Sequence, residues 1–234
     1  YELVVRDWSS VVCSSDLKIR TIAEDIIDAL FFAERDTSDK SPMGMFDGYF
    51  TKLTAEIADG EISTGKGNMR NTDAIAAPAD ADDSDAYNIL VDFIRGAHPM
   101  LRKNGVLYLS ESALFYAQDA LGNLLKYKGM LEFDAFLMHL RGVTHSPNLQ
   151  VVANSAFGTG SRLMLMKPRN LDLGIGTAGD ESFVQIRAPY EDPNILQFWT
   201  QWENGTRIQS IHPKEFMCNQ RSNTSVEMSG DYVS

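Results

Sequence analysis

RLMLMKPRNLDLGIG (Arg162–Gly176) and SFVQIRAPYEDPNILQFWTQWENGTRIQSIHPKEFMC (Ser182–Cys218) are rich in β-branched and aromatic residues and punctuated by Pro, Gly and Asn. That composition predicts short strands separated by turns, hence an antiparallel sheet over Arg162–Cys218. Asn204-Gly205 lies between QFWTQWE and TRIQSI and predicts a type I′ hairpin, because both central residues of that turn need positive φ. Nothing inside the stretch has the spacing of a catalytic motif.

Upstream, local signals predict helices. Over Lys18–Glu34, Ile19, Ile22, Ala23, Ile26, Ile27, Leu30 and Phe31 recur at three-and-four spacing, which marks one helical face. Pro42 to Gly48 is a turn whose Met43, Met45 and Phe46 are expected to dock on the core. Thr51–Ile62 is ambiguous between a helix and a strand-like connection. Ser63–Asp85 holds GKGN and APADADDSD and is expected to be an exposed, mobile loop. Ser84 or Asp85 is placed to cap a helix with Tyr87, Leu90, Val91, Ile94 and Leu101 inward, and Pro99 should kink or end it. Val106–Leu109 then predicts a buried strand, and Ser110 caps a helix from Glu111 to about Tyr127 with Leu114, Phe115, Leu121, Leu124 and Leu125 inward. Met130–Leu140 is ambiguous, Gly142–Leu149 is expected to be extended, and a loop follows to Gly158-Thr-Gly160. After Cys218 the polar residues 219–234 are expected to fray. No internal repeat is visible.

The bulk composition excludes several classes. The 234 residues suit one large domain or two small ones, with 44% hydrophobic and 23% charged residues. No apolar run approaches the roughly 20 residues that span a bilayer, so no membrane partner is expected. A formal charge of −11 opposes the basic face that nucleic-acid binding requires. Asp7–Leu17, DWSSVVCSSDL, resembles a translated reading frame of a short-read sequencing adapter. Residues 1–17, with Cys13, are therefore read as non-native and set aside, and the natural product is expected to extend upstream of Lys18. Cys218 then has no partner for an internal disulfide.

The candidate chemistry is thin. His98, His139, His145 and His212 show no H-x-x-x-H or H-E-x-x-H spacing, so a helical zinc pair is not predicted. Gly65-Lys66-Gly67 lacks the upstream glycine and following Ser/Thr of a P-loop. Gly158, Gly160, Gly174 and Gly176 make no G-x-G-x-x-G, and Gly174-Ile175-Gly176 is read as a turn. No nucleophile elbow occurs. Cys218 near His212 suggests a thiol nucleophile only weakly, because Phe216-Met217-Cys218 predicts a buried strand end. Asp80, Asp82, Asp83 and Asp85 lack the glycine and terminal Glu of a calcium loop. The sequons at Asn204 and Asn223 mean little without a secretory signal. No catalytic, cofactor-binding or metal-binding residue is assigned, no cofactor is expected, and the chain is expected not to be an enzyme.

Three runs carry a family resemblance. IAEDIIDALFFAERDTSDKSPMGMFDGYF (Ile22–Phe50) resembles the end of the spine helix of tailed-phage major capsid proteins and the following P-x-G-x-F-D-G-F turn, here Pro42, Gly44, Phe46, Asp47, Gly48 and Tyr49. LYLSESALFYAQDALGNLL (Leu107–Leu125) resembles their strand, Ser cap and helix. Arg162–Cys218 resembles their closing sheet. The resemblance implies an α+β HK97-type fold. It implies a peripheral-domain spine helix and turn over 18–49, an axial domain over 50–204, a return to the peripheral domain over 205–218, and a polar tail over 219–234. The family's N-terminal arm and extended loop would lie upstream of Lys18. The implied function is a capsid subunit that assembles with copies of itself into an icosahedral shell around phage DNA, without sequence-specific binding. Scaffold, portal or decoration proteins would be further partners, and the product would be made in the bacterial host cytoplasm and end in the virion. Ser63–Asp85 and the loop around Phe157–Gly160 are expected at subunit contacts or on the shell surface. An encapsulin-like compartment shell and a small α+β ligand-binding or enzymatic domain remain alternatives.

Overall fold

The computed structural model describes residues 27–38, 42–127, 131–175, 184–187, 197–200 and 204–224. The expectations that fall on residues 1–26, 39–41, 128–130, 176–183, 188–196, 201–203 and 225–234 lie outside them. The fold is mixed α/β. Its centre is a five-stranded sheet of β1 (Met69–Arg70), β2 (Val106–Ser110), β3 (Gln150–Asn154), β5 (Met164–Met166) and β10 (Phe216–Asn219), in the order β1-β10-β5-β2-β3. The β1/β10 and β2/β3 pairs are parallel, and β2/β5 and β5/β10 are antiparallel.

Alternation along these strands builds two cores. Leu107, Leu109, Leu163, Leu165 and Met217 face one cluster, while Met164, Met166, Phe216 and Cys218 face another, with Tyr108 packed against the second. Register brings the sets together, with Leu165 opposite both Leu107 and Met217, and Met164 opposite both Tyr108 and Cys218. Both faces are covered, which explains why every residue of β5 and β10 is buried.

The first face is covered by α2 (Asp85–Gly96), α4 (Glu111–Leu124) and α5 (Phe133–Thr144). The second is covered by α1 (Tyr49–Ala58) and by helical residues 27–32, whose Phe31 and Phe32 stack on Phe50 at 5.4 and 5.1 Å between ring centroids. Pro99 breaks the helical run as expected. α2 stops at Gly96, and α3 (Pro99–Asn104) restarts with His98 Nδ1 accepting the Met100 N–H at 3.2 Å. Ser110 Oγ accepts the Ala113 N–H at 3.2 Å and caps α4 as expected.

The turn after residues 27–32 has a physical reason for its motif residues. Gly48 N–H donates to the Ala33 carbonyl at 2.7 Å, and a Cβ at Gly48 would lie 2.6 Å from the Phe31 carbonyl carbon and oxygen. Only glycine permits that approach. Asp47 Oδ1 accepts the Arg35 N–H at 3.0 Å, and Phe46 is buried against Ala29 and Ala33.

Several expectations are corrected. Among the described residues, Arg162–Cys218 does not form one antiparallel sheet. β5 and β10 enter the mixed central sheet, while β6 (Leu171–Ile175) pairs β9 (Asn204–Ile208), and β7 (Val184–Arg187) pairs β8 (Gln197–Thr200), each as a separate antiparallel pair. Asn204-Gly205 is no hairpin turn. It opens β9, with Asn204 opposite Ile175 and Gly205 opposite Gly174, so long-range pairing overrides the local turn signal. Gly174 is likewise within a strand.

Thr51–Ile62 resolves mainly into α1, and the described part of Met130–Leu140 mainly into α5 from Phe133 on. Gly142–Leu149 is not an extended segment, since α5 runs to Thr144, and β3 occupies residues assigned to a loop. Ser63–Asp85 is not a detached loop. It supplies β1, the core residue Ile75 and the buried Asn68. On α4, Leu121 is buried but Phe115, Leu124 and Leu125 are exposed. Ala113, Ala117 and Ala120 face the core instead, allowing α4 a close approach to α2 and the sheet. Ile27 is also exposed, and Ala29 and Ala33 take its place inward.

Candidate functional site

The sequence-derived candidates do not converge. His139 Nδ1 is 2.8 Å from the Tyr87 hydroxyl at the α2–α5 contact. His98 caps α3. His145 ends α5 in the left-handed region at φ 53°. His212 Nδ1 accepts the Lys214 N–H at 3.2 Å on the surface. Gly65 to Gly67 lies in a short 3-10 turn with the Ser63 hydroxyl accepting the Lys66 N–H, not between a strand and a helix. Among the described residues no group of three or more His, Cys, Asp or Glu is placed to hold a metal ion.

Cys218 lies in β10 with no exposed surface, packed among Phe50, Met164 and Phe216. Burial pushes its thiol up to about 12, against the pull of the Arg162 guanidinium. A neutral, enclosed thiol is a poor nucleophile. With Cys13 replaced by Ser, a disulfide reagent is expected to label the native chain at pH 8 at least about 100-fold more slowly than the unfolded chain. Labelling at the unfolded rate would place Cys218 at the surface. The same burial raises Tyr49 and Tyr87 to about 12. Each group is held neutral in the fold, so its contribution is whole below its ordinary value and is lost as pH climbs toward about 12. Thermal stability is therefore expected to decline from about pH 9 upward.

Sequence reading missed the polar residues that tie the sheet's edge together. Asn219, fully buried, donates through Nδ2 to Ser161 O at 2.6 Å and Thr72 Oγ1 at 3.0 Å, and accepts the Leu163 N–H at 2.9 Å. Asn223 Oδ1 accepts the Arg162 N–H at 2.8 Å, and its Nδ2 donates to Phe157 O at 2.8 Å. Residues 219–224 are thus held in place rather than frayed, with β11 (Asn223–Thr224) paired to β4 (Thr159–Gly160). In the loop expected at subunit contacts or on the shell surface, Phe157 and Gly158 are buried, Thr159 is exposed, and Gly160 O accepts the Ser110 hydroxyl at 2.8 Å.

Arg162 is 4% exposed, 5.5 Å above the Phe50 ring, and its Nε and Nη1 have no hydrogen-bond partner among the described residues. Desolvation lowers its pKa. Its side chain follows the same alternation as Met164 and Met166, which is the signal that could have revealed it. A buried cation without an anion costs more than an apolar side chain of similar size. Arg162→Met is therefore expected to raise the stability of the isolated chain by about 1–4 kcal/mol in urea titration. A loss of similar size would show that the guanidinium is compensated.

The surface is distinctive in its apolar content. Leu124 and Leu125, both 48% exposed, end α4; Tyr127, 57% exposed, follows; and Phe133 and Met138, 39% and 68% exposed, lie on α5. Open cavities of ≈ 450 Å³ beside α2 and ≈ 550 Å³ beside α3 are lined mainly by aspartate and alanine in the first, and by Met100, Pro168, Lys167 and Lys214 in the second. The turn at Asp47 meets the β6/β9 pair. Thr206 Oγ1 donates to Asp47 O at 2.6 Å, Tyr49 hydroxyl to Asp172 O at 2.8 Å, and Lys52 Nζ to Thr206 O.

No protein-family model matches the chain, and no curated protein matches it. A solved structure from Mycobacterium phage Che8 is similar at 11% identity and a TM-score of 0.33, with 74% of this chain covered. The chain spans 64% of the length of that protein.

Proposed function

We propose that this chain is a shell subunit, the major capsid protein of a tailed phage with an HK97-type fold, that assembles with copies of itself into an icosahedral head around DNA. The observation that carries the reading is the exposure of Phe115, Leu124, Leu125, Tyr127, Phe133 and Met138 on the consecutive helices α4 and α5 and the segment between them. Single exposed apolar residues are ordinary, but so many large ones on two adjoining helices suit surfaces that become covered on assembly. The P-x-G-x-F-D-G turn supports the same reading, because its glycine and aspartate lock the end of residues 27–32 against α1 and the β6/β9 pair. That arrangement suits a tile whose two parts must keep a set angle. β10, which the resemblance assigns to a peripheral return, hydrogen-bonds between β1 and β5, so that return is anchored in the central sheet. The acidic balance suits a lining that encloses DNA without trapping it.

In this reading the partners are copies of the same chain, with scaffold, portal or decoration proteins added, and the product passes from the bacterial cytoplasm into the virion. It performs no catalysis. The test is sedimentation velocity over a concentration series. Particles many times the mass of one chain are expected to form cooperatively above a threshold concentration. A species that stays monomeric throughout would overturn the reading.

A further inference from the structure

Charge is segregated between the two ends of α2. Before the helix, Ala76-Ala77-Pro78-Ala79-Asp80-Ala81-Asp82-Asp83 joins small apolar side chains to carboxylates, and all but Pro78 and Asp83 are exposed. The loop is already ordered. Asp83 Oδ2 accepts the Ala79 N–H at 2.8 Å, Asp83 Oδ1 accepts the Asp85 N–H at 2.9 Å, and Asn123 Nδ2 donates to the carbonyls of Asp80 and Asp83, each at 3.1 Å. Beyond the other end of α2 lies the ≈ 550 Å³ groove, lined by Met100, Leu101 and Pro168 and by Lys167, His212 and Lys214. Glu215 pairs Lys167 at 3.0 Å, while Lys214 in the groove and exposed Lys103 at the end of α3 have no acidic partner within salt-bridge distance among the described residues. Met100 is 64% exposed.

We propose that this groove receives the Ala76–Asp83 loop of a second copy of the chain. The inference rests on the shell reading and names one of its contacts. The complementarity is of two kinds. Alanines and a proline meet Met100 and Pro168, and carboxylates meet Lys214 and Lys103. α2 has 12 residues and rises about 18 Å, which separates the loop from the groove of its own chain. The contact joins two different patches, so it is head-to-tail and forms a ring when the rotation between copies closes. The preformed loop loses little freedom on docking, which lowers the cost of association.

The test uses the full chain in four forms: the natural sequence, Asp80→Asn with Asp82→Lys, Lys103→Glu with Lys214→Glu, and all four changes together. Asn at position 80 retains the acceptor that the Asp82 N–H uses. Circular dichroism checks that each form is folded. Each two-residue variant is expected to need at least about tenfold more protein to associate at low salt, and the four-residue variant is expected to recover. Added salt should weaken the natural contact. If both two-residue variants associate like the natural chain, or the four-residue variant does not recover, the contact is wrong while the shell reading stands. If the natural chain never associates, the shell reading fails and this contact fails with it.

Discussion

Replacing Gly158 with alanine is expected to lower the thermal midpoint by at least about 6 °C, from a cost of about 3 kcal/mol in a chain of this size. Gly158 ends the short 3-10 turn Ser155–Phe157 at φ 63° and ψ −154°, a region that side-chain-bearing residues essentially do not occupy. A Cβ there would also lie 2.0 Å from the Thr224 carbonyl oxygen and 2.8 Å from the Phe32 ring. Backbone strain and steric overlap therefore act together, and relief requires β11 to leave β4. The expected signature is local as well as global, with trypsin cutting after Arg221 far faster in the variant than in the natural chain. A midpoint within about 1 °C and unchanged cleavage would show that the turn adapts.

Asn219→Leu is the second large effect. Leucine matches the size of asparagine closely enough to fill the site, but it strips the partner from the Leu163 N–H and from one donor contact each of Ser161 O and Thr72 Oγ1. Orphaned buried backbone groups cost about 1–3 kcal/mol each, so a loss of about 3 kcal/mol or more is expected in urea titration. Asn219→Asp is expected to lose no less, because it keeps the acceptor for Leu163 but sets a buried carboxylate oxygen against Ser161 O in place of the donor. A loss below about 1 kcal/mol in Asn219→Leu would mean that these buried bonds contribute little.

What was legible in the sequence was local. Pro99 ends one helix and starts the next, Ser110 caps α4, and the short spacing between strand and cap left little room for error. Leu163-Met164-Leu165-Met166 was legible as part of a strand, though not which core each residue enters, because that depends on β2 and β10 on either side. The failures were of long-range origin. Asn204-Gly205 has ideal turn chemistry, yet β9 finds its partner in β6. β1 was hidden in a polar stretch because its parallel partner β10 arrives from the far end of the chain. β3 looked like loop because Gln150, Val152 and Asn154 alternate with only short apolar residues.

The surface was misjudged for a related reason. Helical spacing marks Phe115, Leu124 and Leu125 as apolar without saying which face of α4 the sheet selects. The sheet takes the alanine face, since small side chains let the helix pack closely, and the large ones are left outside. Arg162 and Asn219 were passed over because a single polar residue in a strand reads as solvent-facing by default.

The shell reading is tested most directly by electron microscopy of the purified full-length chain after concentration. Closed particles of uniform diameter, built from repeating capsomers, are the predicted result. A field of dispersed monomers at concentrations where the chain remains folded would contradict it.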